Sequence, residues 1–308
     1  MRLTVVICTH DRAESLDRTL DALMQAEPPA APVDILVVAN ACGDDTAERL
    51  RARAGAGTPF PLHWIEEPLP GKSRALNRAL ALLQKDAAAF VDDDQRVAPD
   101  FLVETCAALE RHADAGILCG RLLPDWDGSE PAWVHDTGPW RIYPPPVASF
   151  DAGDAARDLD PDDVLPPGGD IIARREVLER VGEFAVELGP HGHDLLGGED
   201  IDYLRRALAL GIRLRYEPRI LQYHAVEAER LRLRELVAKA FQRSRSSVRI
   251  ARRGPTGIQR YMWKKVAIYG LQALASLSAS RRRFYLVRLA AALGEMRGAS
   301  DRARRQAT

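Results

Sequence analysis

The stretch Leu3-Thr4-Val5-Val6-Ile7-Cys8-Thr9-His10-Asp11-Arg12 decides the fold, because a β-branched run ends in polar residues and a helical pattern follows at once. Leu16, Leu20 and Leu23 then recur at helical spacing. The same order returns further along, with strands predicted at 33–39, 62–66 and 88–91 and helices at 45–54 and 73–84. This alternation predicts an α/β fold with a mostly parallel sheet covered by helices, whose ligands gather at the carboxyl ends of the strands.

The fourth of these strands runs into three carboxylates, Asp92, Asp93 and Asp94. Carboxylate oxygens suit Mg²⁺ or Mn²⁺, which complete their coordination with substrate phosphates and water. In an extended strand Asp92 and Asp94 share a face, and Asp93 points the other way. We expect a divalent cation here; the alternative is a solvated acidic turn.

A second acidic cluster, Gly197-Gly198-Glu199-Asp200, opens a predicted helix. Acidic residues are common in a first helical turn for dipole reasons alone. The two glycines favour a close approach of backbone to ligand, which would aim Asp200 into a cleft as a general base.

Two cations follow a Pro-Gly turn at another helix start, in Pro70-Gly71-Lys72-Ser73-Arg74. A helix N-terminus with Lys72 and Arg74 suits a diphosphate, although the spacing is not that of a Walker loop. The alternative is a solvated helix start.

Histidines offer further candidate ligands. His224 follows an apolar run and can supply an imidazole to a metal, whereas a lone histidine is more often structural. His191 and His193 lie in a Gly-rich loop, where we favour a structural interpretation.

Together these segments resemble glycosyltransferase family 2, inverting enzymes of the GT-A fold. The opening stretch, Leu36–Thr46, the Asp92–Asp94 triplet and Gly198-Glu199-Asp200 occur in the family's order over about residues 3–230. The resemblance implies a UDP-, dTDP- or GDP-sugar donor, Mn²⁺ or Mg²⁺, and a hydroxyl acceptor on a glycan, a lipid-linked or a small molecule, as in polysaccharide biosynthesis.

The resemblance also assigns roles residue by residue. The metal ligands are Asp94, with Asp92 as its partner toward metal or ribose, and His224. Asp200 is the base, next to Glu199. The resemblance places Thr9, Arg12, Asn40, Arg74 and Asp92 at the donor. We add Lys72, because of the helix start, and Asp93 to this donor-binding set.

Two positions depart from the family pattern. Asn40 stands where an aspartate commonly reads the nucleobase, so any base contact must come from an amide. Asp170 stands where asparagine is frequent, which bears on hydrogen bonding to the acceptor.

Net charge divides the chain. From Leu231 onward, 19 Lys and Arg face 3 Asp and Glu, whereas the first 230 residues carry 24 against 41. We expect a catalytic domain at 1–230 and a basic helical extension at 231–308. Apolar runs at 266–279 and 284–293 flank Arg281-Arg282-Arg283 and favour contact with an anionic membrane surface; the alternatives are packing on the catalytic domain or a homodimer contact.

The chain begins without the pattern of a secretory signal, and its four cysteines are scattered, so we expect a cytoplasmic protein, peripheral on the inner face of the cell membrane. Trp126, Trp133 and Trp140 lie in a Pro-rich loop, either stacking on a sugar or anchoring local packing. Two other functions compete: a nucleotidyltransferase, and a nucleic-acid-binding protein using the basic tail. The arginines of the basic tail have few aromatic residues between them, which argues against nucleic acid as a partner.

Overall fold

A computed structural model of the chain describes residues 1–143, 146–188, 198–250 and 254–306. Its strands are β1 (Leu3–Thr9), β2 (Val33–Asn40), β3 (Leu62–Glu67), β4 (Ala87–Phe90), β5 (Gln95–Val97), β6 (Ile117–Asp125), β7 (Arg157–Leu159), β8 (Ile172–Arg174) and β9 (Leu214–Ala225). Its helices are α1 (Ala13–Met24), α2 (Thr46–Gly55), α3 (Lys72–Leu80), α4 (Phe101–Arg111), α5 (Arg175–Val181), α6 (Glu199–Ala209), α7 (Leu233–Ile250), α8 (Arg260–Ala275) and α9 (Ala279–Gln306).

One sheet with the strand order β3-β2-β1-β4-β8-β6-β9-β5 organises the first part of the chain, and β7 pairs with β9. Strands β3, β2, β1 and β4 are parallel neighbours. β8 is antiparallel to both β4 and β6, so β6 and its parallel partner β9 run in the same direction as the first four. The sheet is therefore mostly parallel, and the predicted α/β architecture is confirmed.

The sheet is buried on both faces, which explains its unbroken apolar strands. Val5 and Ile7 of β1 pack with Leu20 of α1 in one cluster. Val6, between them, points to the other face and packs with Phe90 and Tyr203. In both clusters, side chains of the helices pack on a face of the sheet. The polar residues lie at the carboxyl ends of the parallel strands.

Predicted boundaries differ from the observed ones by a few residues. The third helix ends at Leu80 rather than at residue 84, and the fourth strand ends at Phe90 rather than at Val91. The aspartate triplet follows the end of this strand in both cases.

The chain divides into two compact units. Among the described residues, the first comprises Met1–Asp125, 148–188 and Gly198–Ala225, and the second comprises 126–143, 146–147, 226–250 and 254–306. In the second unit α9 packs against both α7 and α8. None of the helices in the described ranges is long and apolar enough to cross a membrane.

The Pro-rich loop belongs to this helical unit. The guanidinium of Arg283 lies 4.4 Å from the ring centre of Trp133, and that of Arg281 lies 5.1 Å from Trp140. Trp140 also meets the ring of Phe284 at 5.5 Å. Trp126 meets His135 in the same loop. These contacts favour the packing interpretation of the tryptophans.

Candidate active site

The aspartate triplet forms a turn between β4 and β5. The N–H of Gln95 donates to the carbonyl oxygen of Asp92 at 3.1 Å, and the N–H of Ala225 donates to that of Asp94 at 2.8 Å. Strand alternation therefore does not extend to these residues, and the expected grouping by strand face is wrong. Asp93 and Asp94 share one cation, while Asp92 has another.

Arg12 is the cation shared by Asp93 and Asp94. Its Nη1 lies 2.7 Å from Oδ1 of Asp93 and its Nη2 lies 3.0 Å from Oδ2 of Asp94. The hydroxyl of Thr9, the last residue of β1, donates to the other oxygen of Asp93 at 2.7 Å. Burial raises the pKa of Asp93 to about 6, although Arg12 opposes this shift. Thr9 and Arg12, which the resemblance predicts to contact the nucleotide, therefore bind the aspartate triplet here.

His224 meets Asp94 from the neighbouring strand. In the register of β5 and β9, His224 lies opposite Gln95, which follows the triplet. Its Nε2 is 3.5 Å from Oδ1 of Asp94, and its Nδ1 is 2.8 Å from the carbonyl oxygen of Ala225. A ring whose Nδ1–H donates to a carbonyl presents Nε2 as a ligand atom. This pair of buried oxygen and nitrogen donors fits a divalent cation.

Lys72 is the cation of Asp92. Gly71, with φ of 137°, turns the chain into α3, and Lys72 is the first residue of that helix. Its Nζ lies 2.5 Å from Oδ1 of Asp92. Although burial opposes it, the negative charge of Asp92 and Glu199 raises the pKa of Lys72. The ammonium therefore stays charged among carboxylates.

Asn40, at the end of β2, uses its side chain to hold the turn before Lys72. Its Nδ2 donates to the carbonyl oxygens of Glu67 and Leu69 at 3.1 and 2.7 Å, and its Oδ1 accepts from the N–H of Gly71 at 2.8 Å. Both amide hydrogens are thus engaged in this arrangement. A nucleobase contact through the amide stays a prediction that requires these bonds to open.

Arg74 is the second cation of this helix start. It lies two residues after Lys72 and is partly exposed. Its guanidinium has no hydrogen bond or ion pair with the residues that the structure describes, which leaves it available to an anionic ligand. This distinguishes it from Lys72, whose charge is already compensated.

Asp200 and Glu199 form the first turn of α6, which follows Gly198 at φ of 116°. The N–H of Gly168 donates to Oδ2 of Asp200 at 2.8 Å. Glu199 is buried, and burial raises its pKa although Lys72 opposes this shift. The side chains of Lys72, Asp92, Glu199 and Asp200 line one small cavity. Gly197, His191 and His193 lie outside the described residues.

Two glycines before Asp170 were not predicted to have a role, although their Pro-Gly-Gly context signals a special backbone. A Cβ on Gly169 would lie 2.6 Å from Nε2 of Gln95 and 2.7 Å from the carboxylate of Asp92. The turn therefore touches Asp92 through Gly169 and Asp200 through Gly168. Only glycine lets the chain pass between them.

Asp170 anchors this turn in the sheet. Its Oδ1 accepts from the N–H of Gly120 at 2.9 Å and from Nε2 of Gln222 at 3.2 Å. Its Oδ2 has no hydrogen-bond partner among the described residues, nor has Oε1 of Gln222. Burial raises the pKa of Asp170 to about 7. A proton on Oδ2 would give this carboxyl the donor that asparagine supplies at the same position in the family.

The described geometry brings the predicted residues to one edge of the sheet. Asp94 and His224 offer ligands to a cation, Asp200 offers a carboxylate base, and Arg74 offers a positive charge. Such a site can hold an anionic, metal-bound substrate and remove a proton from a second one.

Comparison with known proteins shows the family. The family model described as glycosyl transferase family 2 matches residues 4–182, which is more than half of the chain. The succinoglycan biosynthesis protein ExoM of Rhizobium meliloti is 23% identical over 307 residues, covering 97% of this chain and 93% of that protein. The glucosyl-dolichyl phosphate glucuronosyltransferase of Haloferax volcanii is 23% identical over 194 residues, and the match spans only 58% of its length.

Solved structures share the fold. A mannosyltransferase from Pyrobaculum calidifontis, in complex with GDP-Man and Mn²⁺, superposes with a TM-score of 0.60 at 18% identity, over 94% of this chain and 86% of that one. A fragment of S. aureus TarS in complex with UDP-GlcNAc gives 0.55 at 14% identity, over 100% of this chain and 93% of that one. The GT-A fold is confirmed, and the chain belongs to glycosyl transferase family 2.

Proposed function

We propose that this protein transfers a sugar from a nucleoside diphosphate sugar to a hydroxyl acceptor, with inversion at the anomeric carbon. The observation that carries the proposal is that Asp200 and the Lys72–Asp92 ion pair line one cavity. A base for the acceptor and a charged site for the donor thus lie side by side. A nucleotidyltransferase is the alternative. It would attack phosphorus, and Asp200, as a base for a hydroxyl that attacks the sugar carbon, would have no role in that reaction.

The donor is held by cations and by the first loop. The guanidinium of Arg74 has no hydrogen bond or ion pair with the described residues, and we propose that it binds the diphosphate together with Lys72, which lies two residues before it. Arg12 and Thr9 already fix Asp93, so we expect the donor between this loop and the start of α3. Related structures contain GDP-Man and UDP-GlcNAc, and uridine, thymidine and guanosine donors are all candidates here.

Asp94 and His224 would hold Mn²⁺ or Mg²⁺, with Asp92 beside them. When bound, a divalent cation supplies Lewis-acid stabilisation of a departing diphosphate. Asp94 and Asp93 keep their orientation through Arg12, and His224 through the carbonyl oxygen of Ala225. The chain therefore presents the ligand atoms without a large rearrangement.

Asp200 takes the proton of the acceptor hydroxyl. The N–H of Gly168 fixes one of its oxygens, and the N–H of Ile201 donates to the other at 2.7 Å. Each oxygen keeps a lone pair for the acceptor. The hydroxyl oxygen attacks the anomeric carbon on the face opposite to the diphosphate, so a single displacement inverts its configuration. Glu199, next to it, adds negative charge that keeps Lys72 protonated.

The acceptor is proposed to be a glycan or a lipid-linked sugar. The proposed domains are a catalytic domain at 1–230 and a basic extension at 231–308. Two relatives carry names that refer to dolichyl phosphate and to succinoglycan biosynthesis. We propose a cytoplasmic protein that is peripheral on the inner face of the cell membrane. A homodimer contact through the extension is the competing arrangement.

The test is to incubate the purified protein with a panel of UDP-, dTDP- and GDP-sugars and Mn²⁺ or Mg²⁺. With no acceptor added, we expect slow transfer of the sugar to water from one donor, with release of the nucleoside diphosphate. The first-formed anomer of the free sugar, recorded by NMR before it mutarotates, should be opposite to that of the donor. A parallel incubation with nucleoside triphosphates and a sugar 1-phosphate tests the alternative, because formation of pyrophosphate there would identify a nucleotidyltransferase. A product whose anomeric configuration equals that of the donor would overturn the proposed single displacement.

A further inference from the structure

The outer face of α8 is apolar and exposed. Leu271 is 68% exposed, Leu274 84% and Leu277, just past the helix, 98%. Ile268 is exposed one turn before Leu271, and Trp263 two turns before it. The spacing of three to five residues places Trp263, Ile268, Leu271 and Leu274 along one side of the helix, and Leu277 follows the helix end. We call this set, Trp263, Ile268, Leu271, Leu274 and Leu277, the α8 outer face.

The opposite side of α8 is fixed against α9, so the exposure follows from a definite orientation. Met262 is fully buried and forms a small core with Met296 and Ala299 of α9. Nζ of Lys265 lies 2.8 Å from Oε2 of Glu295, and the hydroxyl of Tyr261 donates to Oε1 of the same residue at 2.8 Å. Turning the leucines inward would break these contacts.

The apolar run of α9 makes packing contacts within the helical unit. Phe284 packs against Trp140. Gly294 lies so close to the backbone of Phe241 in α7 that a Cβ would overlap its carbonyl group. Phe284 in this run and Gly294 just after it thus face other elements of the helical unit. Leu293 is 42% exposed, and the leucines with 68–98% exposure lie on and just after α8.

Two exposed cations border the α8 outer face in a strongly basic part of the sequence. Residues 236–294 contain 13 Lys and Arg and no Asp or Glu. Arg260 and Lys264 are exposed and continue the same side of the helix toward its N-terminus. An apolar strip with cations beside it has the composition of helices that lie in the interface of anionic bilayers.

Charge also decides between a membrane and a second copy of the chain. In a two-fold dimer the same patch meets itself, so the cations around one α8 outer face would meet the identical cations of the other. Lys265 is compensated by Glu295, whereas the side chains of Arg260 and Lys264 have no ion pair with the residues that the structure describes. Anionic headgroups supply the missing negative charge, and acyl chains accept the leucines.

We infer that the α8 outer face docks on an anionic lipid bilayer, lying in its interface with Leu271, Leu274 and Leu277 among the acyl chains. The docking itself is argued from α8 alone. Its connection with a lipid-linked acceptor rests on the proposed function. Since the catalytic unit is on the same chain, docking raises its local concentration at such acceptors.

The test is co-sedimentation of the full chain with vesicles of phosphatidylcholine, with and without phosphatidylglycerol, in the absence of any donor. We expect binding only when phosphatidylglycerol is present, and weaker binding as salt rises. Leu274→Glu should weaken binding by about tenfold or more, since one leucine loses its burial and a negative charge is added. Lys264→Gln should weaken it roughly fivefold.

Val164→Glu is the matched control, because Val164 is a 73% exposed apolar residue of the other unit. Its vesicle binding should equal that of the wild-type chain. The inference is overturned if wild type ignores anionic vesicles, if Leu274→Glu binds as well as wild type, or if light scattering shows a dimer that Leu274→Glu dissociates. Donor cleavage measured without vesicles tests the proposed function separately, and each can fail alone.

Discussion

The backbone N–H of Gly168 donates a 2.8 Å hydrogen bond to the carboxylate of Asp200. This bond joins the first turn of α6 to a Pro-Gly-Gly turn that also touches Asp92 through Gly169. The proposed base and the proposed donor site are therefore placed by one short segment. The consequences can be measured at Asp200, Asp94, Gly169 and Asp170.

Asp200→Asn should lower kcat on the order of a hundredfold or more while donor affinity is nearly kept, because the amide cannot accept the acceptor proton. Initial rates and donor titration by calorimetry measure the two effects. Asp202→Asn is the control, since Asp202 lies in the same turn but pairs with Arg206 at 2.8 Å. Equal losses of donor binding and turnover would place Asp200 in the donor site instead.

Asp94→Asn should abolish metal-dependent donor binding and leave the fold intact, since an amide is a weaker ligand for a hard cation. Mn²⁺ titration followed by electron paramagnetic resonance measures binding directly, without activity. The control is Asp125→Asn, whose carboxylate pairs with Arg96. Unchanged Mn²⁺ dependence in a folded Asp94→Asn protein would refute the ligand assignment.

Gly169→Ala should displace Asp92 or Gln95, because its Cβ would lie within 2.7 Å of both side chains. We expect a loss of about 1–3 kcal/mol in the free energy of unfolding, together with weaker donor binding. Urea denaturation and donor titration measure the two effects. Gly55→Ala, where a Cβ meets nothing within 4 Å, should leave both unchanged or slightly improve stability. Wild-type values for Gly169→Ala would show that the turn is free to move.

Asp170→Asn should change how stability depends on pH. Burial raises the pKa of Asp170 to about 7 from 3.8. Between these values the folded state keeps a proton that the unfolded chain has released, so the wild type loses stability as pH rises and levels off above about 7. The amide of the variant does not titrate, so the stability of Asp170→Asn relative to wild type should grow by up to about 1.4 kcal/mol per pH unit in that window.

Urea denaturation of both proteins between about pH 5 and 8 measures the difference in their free energy of unfolding. Titrating groups that both proteins share contribute equally and do not affect this difference. Asp162→Asn, at an exposed carboxyl, should follow the wild type throughout. A constant difference between Asp170→Asn and wild type across this window would mean that Asp170 is charged in the folded protein.

Local pattern was enough for the architecture. Strand and helix alternate in the sequence with the periods of buried strands and amphipathic helices, and parallel strands must place their ends at one edge of the sheet. The family, the edge at which the carboxylates meet and the basic character of the last 78 residues could therefore be predicted. Each depends on residues that are near one another in the chain or on simple composition.

Tertiary structure decided the partners. Asp92 pairs with Lys72, and Arg12 holds Asp93 and Asp94, because β4 ends at Phe90 and the triplet turns where strand alternation no longer applies. The use of the Asn40 amide by the turn before Lys72, the fit of Gly169 beside Asp92, and the exposed side of α8 also depend on contacts between distant segments. Periodicity records which face of an element is apolar, whereas which atoms meet across elements is fixed only when the segments pack.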